Sequence, residues 1–208
     1  MKLYTYFRSS AAYRVRIALA LKGLSYESIP VHLVRREHRA PDYLAINPQG
    51  RVPSLDHAGE IVIQSPAILE YLDEVHPRPP LLPGDALHRA RIRAVAAIVA
   101  CDIHPLNNLS TLAYVKETLG ADQAAADAWY AHWVTEGFAA IEPLIAPAPF
   151  AFGEQPTMAD VYLMPQIFNA RRFAVPLDAF PRIRAVEAAC AAHPAFQAAA
   201  PAAQPDAA

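Results

Sequence analysis

The chain has 208 residues, of which 54% are hydrophobic and 18% are charged, and its formal net charge is −2 at pH 7. Such a balance argues against a nucleic-acid partner, which needs a basic face. No apolar run reaches the roughly 18 residues of a membrane span, and the first residues lack the layout of a signal peptide. We therefore expect a soluble, cytoplasmic protein without a membrane partner. The cysteines, Cys101 and Cys190, lie far apart and indicate neither a redox dithiol nor a metal site.

The first element is predicted to be a strand that leads through a short turn into a helix. Residues 1–7 predict the strand, residues 8–10 the turn, and the residues from Ala11 a helix that Gly23 ends. The hydroxyls of Ser9 and Ser10 therefore lie at a helix N-terminus, where unpaired N–H groups and the helix dipole stabilise an anion. Taken alone, such serines more often only cap the helix.

The next segments predict three further strands, a short helix and a second helix start that could bind an anion. Residues 26–33 alternate as a strand, and residues 40–46 predict a short helix. Val52-Pro53 opens another strand, and a cis bond there would direct the Val52 backbone at a ligand. After a strand over residues 60–63, Ser65 is predicted as a helix N-cap with Pro66 behind it, which prepares a second anion site.

The remainder is predicted to be helical. The proline-rich residues 77–84 predict a linker between a first domain over 1–76 and a helical domain over 85–208. Apolar periodicity predicts helices around residues 92–99, 129–138, 161–173 and 185–200. Thr157 and Asp160 form a capping-box pattern, which favours a structural rather than a catalytic role for Asp160.

This order of elements resembles the thioredoxin-like half of a glutathione transferase. Motifs similar to those of the zeta class run along essentially the whole chain, and their order and spacing together are specific. They are Ser9-Ser10, Arg14–Leu19, Lys22-Gly23, Asn47-Pro48, Val52-Pro53, Gln64-Ser65, Leu81–Pro83, Pro105–Ser110, Thr157–Asp160, Pro165-Gln166, Arg172-Phe173 and Gln204–Asp206. The resemblance implies an α/β plus all-α fold, in which an N-terminal thioredoxin-like domain precedes a C-terminal helical bundle.

The resemblance also implies glutathione as the cofactor, a small dicarboxylate as the substrate and a homodimer as the assembly. The activity it implies is glutathione-dependent cis–trans isomerisation of maleylacetoacetate to fumarylacetoacetate in tyrosine and other aromatic catabolism. Reversible addition of the thiolate to the double bond would allow the rotation. The cations of the site would stabilise the negative charge that develops on the substrate.

Site residues follow from the same resemblance. Ser9 holds the thiol, with Ser10 beside it, and Arg8 and Arg172 act as the catalytic cations. Arg171 is excluded because adjacent residues on a helix point about 100° apart around its axis. The residues implied to bind glutathione are Ser9, His38, Val52, Gln64, Ser65, His104, Asn108 and Ser110. Within this set, Gln64 and Ser65 take the γ-glutamyl end, the Val52 backbone pairs with the cysteinyl amide, and His38 reaches toward the glycine end. His104 and Asn108, four residues apart, are expected to share one helix face.

Three other functions remain open. The first is maleylpyruvate isomerisation in the gentisate pathway. Some enzymes with that activity carry added arginines at the position of Leu109-Ser110, and their absence here favours maleylacetoacetate. The second is conjugation or dehalogenation of small α-haloacids. The third is a module kept only for protein interaction, which would have no need of Ser9, Gln64-Ser65 or Arg172. Ala11 stands where zeta proteins usually have a cysteine, and this bears on thiol-transfer side reactions.

Overall fold

A four-stranded mixed sheet organises the N-terminal part of the chain, whose computed structural model describes residues 1–207. Strand β1 (Lys2–Thr5) pairs in parallel with β2 (Glu27–Pro30) and antiparallel with β3 (Ser54–His57). Strand β3 pairs antiparallel with β4 (Glu60–Ile63), so the order across the sheet is β2-β1-β3-β4. The parallel pair requires a crossover, and a helix between the two strands provides it.

Three helices accompany the sheet: α1 (Ser10–Leu21), α2 (Pro41–Ile46) and α3 (Ser65–Val75). Helix α1 provides the β1–β2 crossover, and Val15, Ile17 and Leu19 within it are fully buried. It ends before Gly23, whose φ of +64° is the left-handed conformation that glycine adopts without strain. The expected strand–turn–helix start of the chain is confirmed.

The remaining α-helices follow in chain order, with a π-helical segment between the first two. They are α4 (Ala86–Ala97), the π-helical segment (Ile98–Ile103), α5 (His104–Asn107), α6 (Leu109–Glu117), α7 (Gln123–Ile141), α8 (Met158–Arg172), α9 (Pro181–Ala192) and α10 (Pro194–Ala199). Short 3-10 turns occur at Glu37–Arg39, Glu142–Leu144, Pro201–Ala203 and Pro205–Ala207. Within residues 1–207, no helix is both long and apolar enough to cross a membrane.

Residue contacts group the chain into two units. One unit comprises Met1–Leu81 together with the segment from Ala191 onward, and the other comprises Leu82–Cys190. The C-terminal segment thus packs with the sheet unit, whereas the sequence pattern predicted that all of residues 85–208 form the helical domain. Two hydrogen bonds from α1 hold this segment: the Tyr13 hydroxyl donates to the Phe196 carbonyl, and Arg16 Nε donates to the Ala199 carbonyl.

The single terminal helix expected over residues 185–200 is wrong. Helix α9 ends at Ala192, and His193 is extended at φ −85° and ψ 129° before α10 begins at Pro194. The residue before a proline is disfavoured in helical conformation, and proline has no N–H to continue the ladder.

Helix α8 in the second unit begins with a capping box. The capping box predicted for α8 is confirmed, because the Thr157 N–H donates to Asp160 Oδ2 at 2.8 Å and the Asp160 carboxylate is fully buried. Burial raises the pKa of Asp160, and hydrogen bonds from Ala151 and Thr157 oppose that shift. Asp160 therefore holds the start of α8, in agreement with its structural interpretation.

Candidate active site

The N-terminus of α1 presents the Ser9 hydroxyl. Ser9 is the N-cap residue, and its Oγ accepts a hydrogen bond from the Ala12 N–H at 3.2 Å. Because Oγ uses a lone pair in this bond, its own proton remains to be donated to an anion. Ser9 is half-buried, whereas Ser10 is the first residue of the helix and is buried. The structure therefore distinguishes the two hydroxyls and makes Ser9 the more accessible one.

Arg8 holds a positive charge immediately before this hydroxyl. Its guanidinium lies 4.8 Å from the centroid of the Phe7 ring, and its Nη2 donates to the Tyr6 hydroxyl at 3.2 Å. Contacts between a guanidinium and aromatic faces are favourable and restrict the side chain. Arg8 is otherwise exposed, so its charge is available to an incoming anion.

The second position predicted to bind an anion is the start of α3. Gln64, the residue before the helix, has φ +70° and ψ 119°, a conformation that is costly for a residue other than glycine and that concentrates at functional sites. The N-terminal N–H groups of a helix have no acceptor within it and favour negative charge. Beneath this terminus, buried Arg14 donates from Nη1 to Ser65 Oγ at 3.3 Å.

The predicted N-cap at Ser65 is wrong by one residue. Ser65 is already the first residue of α3, and Gln64 is the N-cap residue and gives no side-chain cap. The reason is the contact with Arg14, because a serine whose hydroxyl accepts from α1 is directed inward rather than along its own helix. Gln64 Nε2 instead donates to Gln49 Oε1 at 2.6 Å, which ties the start of α3 to the turn before β3.

That turn is fixed by buried polar side chains. Asn47 Nδ2 and the Tyr43 hydroxyl each donate to the Arg51 carbonyl at 2.7 Å, and both contact the Ser54 hydroxyl. The Val52-Pro53 bond between these anchors is cis. Hydrogen bonds thus hold the Arg51 carbonyl on one side of Val52 and the Ser54 hydroxyl on the other.

His38 lies in the short 3-10 turn that packs on the same region. Gly50, at φ +60°, approaches so closely that a Cβ there would lie 2.8 Å from the His38 carbonyl oxygen. Burial lowers the pKa of His38, and the charges of Arg39 and Arg36 lower it further. A lowered pKa favours the neutral imidazole near pH 7, which offers one N–H donor and one acceptor nitrogen rather than a positive charge.

The second unit contains the other expected glutathione-binding residues. His104 begins α5, which ends at Asn107, and Asn108 is extended at φ −75° and ψ 165°. The expectation that His104 and Asn108 share one helix face is therefore wrong. Asn108 instead caps α6, since its Oδ1 accepts from the N–H and the hydroxyl of Ser110, while its Nδ2 donates to the Pro105 carbonyl.

Two adjacent arginines at the end of α8 have different surroundings. Arg171 forms a two-point ion pair with Glu187 at 3.0 and 2.7 Å. Arg172 places its guanidinium 4.9 Å from the centroid of the Phe173 ring. That ring stacks on buried Tyr130 at 3.9 Å, and the charge of Arg172 opposes the upward shift that burial gives the pKa of Tyr130. Arg171 is thus engaged at the surface, and Arg172 lies against an aromatic stack.

Sequence reasoning missed the residues that support the site. Arg14 and Asn47 each belonged to a motif of the resemblance, but neither was given a function. A charged residue inside an otherwise apolar helix was the available signal for Arg14, because such a charge is buried only where it has partners. The stack of Tyr130 on Phe173 left no sequence signal, since its two residues are 43 positions apart in sequence (173 minus 130).

Comparison with known proteins identifies the class. A family model described as the N-terminal domain of glutathione S-transferase matches residues 1–74. Maleylacetoacetate isomerase of Pseudomonas aeruginosa is 58% identical to this chain over 209 residues, covering 99% of this chain and 98% of that protein. The chain belongs to the glutathione transferase family, with its thioredoxin-like mixed sheet and its mostly helical second part.

The likeness extends to one branch of that family. Maleylpyruvate isomerase of a Ralstonia species is 53% identical over an alignment of 212 positions, which covers 100% of this chain and 100% of that protein. A solved holo structure of a maleylpyruvate isomerase, described as a bacterial glutathione S-transferase of the zeta class, superimposes with a TM-score of 0.97 over all of both chains at 53% identity. The zeta-class resemblance drawn from the sequence is confirmed.

Proposed function

We propose that this protein is a glutathione-dependent cis–trans isomerase that converts maleylacetoacetate to fumarylacetoacetate in aromatic catabolism. The observation that carries the proposal is the Ser9 hydroxyl at the N-terminus of α1, in a turn whose preceding residue is the exposed cation Arg8. The name and 58% identity of the Pseudomonas relative support the choice of substrate. Glutathione, when bound, supplies the thiolate that adds to one alkene carbon and is expelled after rotation.

The residues of the first unit fit the groups of glutathione. The start of α3, with Gln64, Ser65 and buried Arg14, suits the α-carboxylate of the γ-glutamyl end because helix N–H groups and the nearby cation favour an anion. The backbone of Val52, fixed by its neighbours, suits the cysteinyl amide. His38 serves the glycine end as a neutral donor. From the second unit, His104, Asn108 and Ser110 are proposed as further polar contacts.

Ser9 stabilises the sulfur as a thiolate. Its proton is donated to the sulfur while its oxygen accepts from the Ala12 N–H, so the hydroxyl is oriented by the helix itself. Such a donor, with the positive end of α1, lowers the pKa of a thiol from its usual value of about 8.5. The gain is only about tenfold in thiolate near neutral pH, because a few per cent is ionised without help.

The larger contribution to catalysis is assigned to the cations. Isomerisation passes through a state in which negative charge moves onto a substrate carbonyl oxygen beside two carboxylates. Preorganised positive groups aimed at such charge often give the largest share of the rate enhancement. Arg8 and Arg172 are held against aromatic rings before any substrate arrives, so they lose little freedom when they bind it. Ser10, being buried, has at most a secondary role.

Maleylpyruvate is the second candidate substrate, because the Ralstonia relative with that name is 53% identical over the full length. Leu109 argues for maleylacetoacetate, since it is an exposed apolar side chain beside Asn108 and adds no cation for a carboxylate. Conjugation or dehalogenation of α-haloacids would use the same thiolate on a saturated carbon.

We further propose a cytoplasmic homodimer of about 45 kDa, twice the chain mass of 22.7 kDa, as C2 dimers are the commonest soluble assembly.

The test is an assay of the purified protein with maleylacetoacetate and with maleylpyruvate, each with and without glutathione. We expect isomerisation only with glutathione and a higher kcat/KM for maleylacetoacetate. Light scattering during the same preparation gives the mass of the assembly. Equal turnover without glutathione would refute the proposal, and a higher kcat/KM for maleylpyruvate would replace the substrate.

The role of Ser9 is tested by substitution. Ser9→Ala should raise the pKa of the bound thiol and strongly reduce turnover, and Ser10→Ala should do less. Because Ser9 also caps α1, the alanine variant loses about 1 kcal/mol of helix stability, whereas Ser9→Gly loses only a few tenths. If the thiol pKa rises equally in both Ser9 variants, the change belongs to the hydroxyl and not to the cap. An unchanged thiol pKa in both would remove Ser9 from its role.

A further inference from the structure

The turn that precedes Ser9 is fastened to the C-terminal segment of the chain. The Phe7 N–H donates to Asp206 Oδ2 at 2.9 Å, a contact between residues 199 positions apart. The Phe7 carbonyl accepts from Arg16 Nη2, also at 2.9 Å. Both backbone polar groups of Phe7 are therefore bound by side chains from outside the turn. The turn itself is closed by the Ser9 N–H, which donates to the Tyr6 carbonyl at 2.9 Å.

Arg16 links the turn to the tail. Its side chain is almost completely buried at 1% exposure, and it donates to the Ala199 carbonyl as well as to Thr5 Oγ1 and the Tyr6 carbonyl. A buried cation requires such partners. Burial is the main reason that the pKa of Arg16 is lowered to about 10, and electrostatic interactions with Tyr26 and Asp206 keep it from falling further. The guanidinium therefore stays charged at neutral pH and holds the end of α10 and the turn together.

The need to stabilise the tail does not by itself explain why the Asp206 carboxylate lies where it does. Its second carboxylate oxygen, Oδ1, is buried and has no hydrogen-bond partner among residues 1–207. A carboxylate oxygen that is buried without a hydrogen-bond partner is costly, even where the residue as a whole is only partly buried, so each such atom calls for a reason. Gln204, two residues earlier, already stabilises the fold of the tail, because its Nε2 donates to the carbonyls of Ala198 and Ala200, both at 3.0 Å.

We propose that Asp206 is a positioning residue for the turn that carries Arg8 and Ser9. By fixing the orientation of the Phe7 amide, its carboxylate sets the two peptide units that follow, and these determine where the Arg8 guanidinium and the Ser9 hydroxyl point. This inference rests on the function proposed above for Arg8 and Ser9. A displacement of about 1 Å in a reacting group reduces rates by as much as a hundredfold, so one backbone hydrogen bond is enough to matter.

Three variants separate positioning from simple attachment of the tail. Asp206→Ala removes the acceptor, Asp206→Asn keeps an oxygen that accepts the Phe7 N–H, and Gln204→Ala weakens the tail without touching the turn. For each we would measure kcat/KM, glutathione affinity, the pKa of the bound thiol and the unfolding midpoint. Asp206→Ala should reduce kcat/KM about tenfold and raise the thiol pKa, while glutathione affinity changes little. Asp206→Asn should recover most of the loss, and Gln204→Ala should lower the midpoint alone.

Hydrogen exchange of the Phe7 amide distinguishes this proposal from the proposed function. Exchange at Phe7 should accelerate in Asp206→Ala and stay slow in Asp206→Asn, whatever the enzyme does with its substrate. The positioning role would be overturned if Phe7 exchange did not respond to Asp206→Ala, or if Gln204→Ala shifted the thiol pKa as much. A wild-type thiol pKa that Ser9→Ala does not change would instead refute the role of Ser9.

Discussion

Replacing Lys22 by methionine should destabilise the first unit strongly. The Lys22 side chain is fully buried, and its Nζ donates to Asp73 Oδ1 at 2.8 Å and to the carbonyls of His76 and Pro79 at 2.7 and 2.9 Å. One ammonium thus joins the end of α1 to the end of α3 and to the segment that follows it. Methionine preserves the length of the side chain but removes the charge and all three donors.

The expected loss in the free energy of unfolding depends on the partners that Asp73 keeps after the substitution. Removing one partner of a buried ion pair costs about 3–5 kcal/mol because the other charge is left without compensation. Asp73 keeps one hydrogen bond, from the Leu81 N–H, and its side chain is 14% exposed, so water reaches it. We therefore expect the lower end, about 3 kcal/mol, which corresponds to a fall of about 6–12 °C in the unfolding midpoint.

Urea unfolding followed by circular dichroism measures the free energy of unfolding directly. Lys116→Met is the matched control, since Lys116 makes an exposed contact with Gln123 and should change stability by less than about 0.5 kcal/mol. Adding Asp73→Asn to Lys22→Met should cost less than the sum of the single changes, because the two residues interact. A loss below about 1 kcal/mol for Lys22→Met, or additive effects in the double variant, would refute this reasoning.

Further predictions concern the active site, the pH dependence and the packing of the second unit. Arg172→Ala should remove about 2–4 kcal/mol of transition-state stabilisation and so reduce kcat/KM for dicarboxylates roughly thirty- to a thousandfold. The kcat/KM for conjugation of a neutral electrophile, measured in parallel, should be unchanged. Equal losses for both substrates would show that Arg172 has a structural role. The pKa of His38 lies below its ordinary 6.5, so the unfolded chain binds more protons between the two pKa values. Unfolding titrations should therefore show stability falling as the pH drops through 6.5 and a flatter profile in His38→Gln. Gly137→Ala should cost about 1–3 kcal/mol in urea unfolding, because its Cβ would lie 2.3 Å from atoms of buried Ile103; an unchanged midpoint would contradict this packing.

Features encoded within one or two helical turns were determined by the sequence itself. The start of α1 at the hydroxyl turn, its end before Gly23 and the capping box of Thr157 and Asp160 are all as expected. Each depends on hydrogen bonds between near neighbours and on the conformational freedom of one glycine. The zeta-class resemblance also came from the sequence, because the order and spacing of many weak motifs are specific even where no single motif is.

Only the tertiary structure decided the features that depend on contacts between distant residues. The Ser65 hydroxyl faces Arg14 rather than its own helix, and Asn108 caps α6 instead of sharing a helix face with His104. The terminal segment docks on the sheet unit, where Asp206 reaches the Phe7 amide across 199 positions. A local pattern lists the donors and acceptors that a residue offers, but a buried side chain is satisfied by whichever partner the fold brings within about 3 Å. That choice is made by packing, and packing is set by the whole chain.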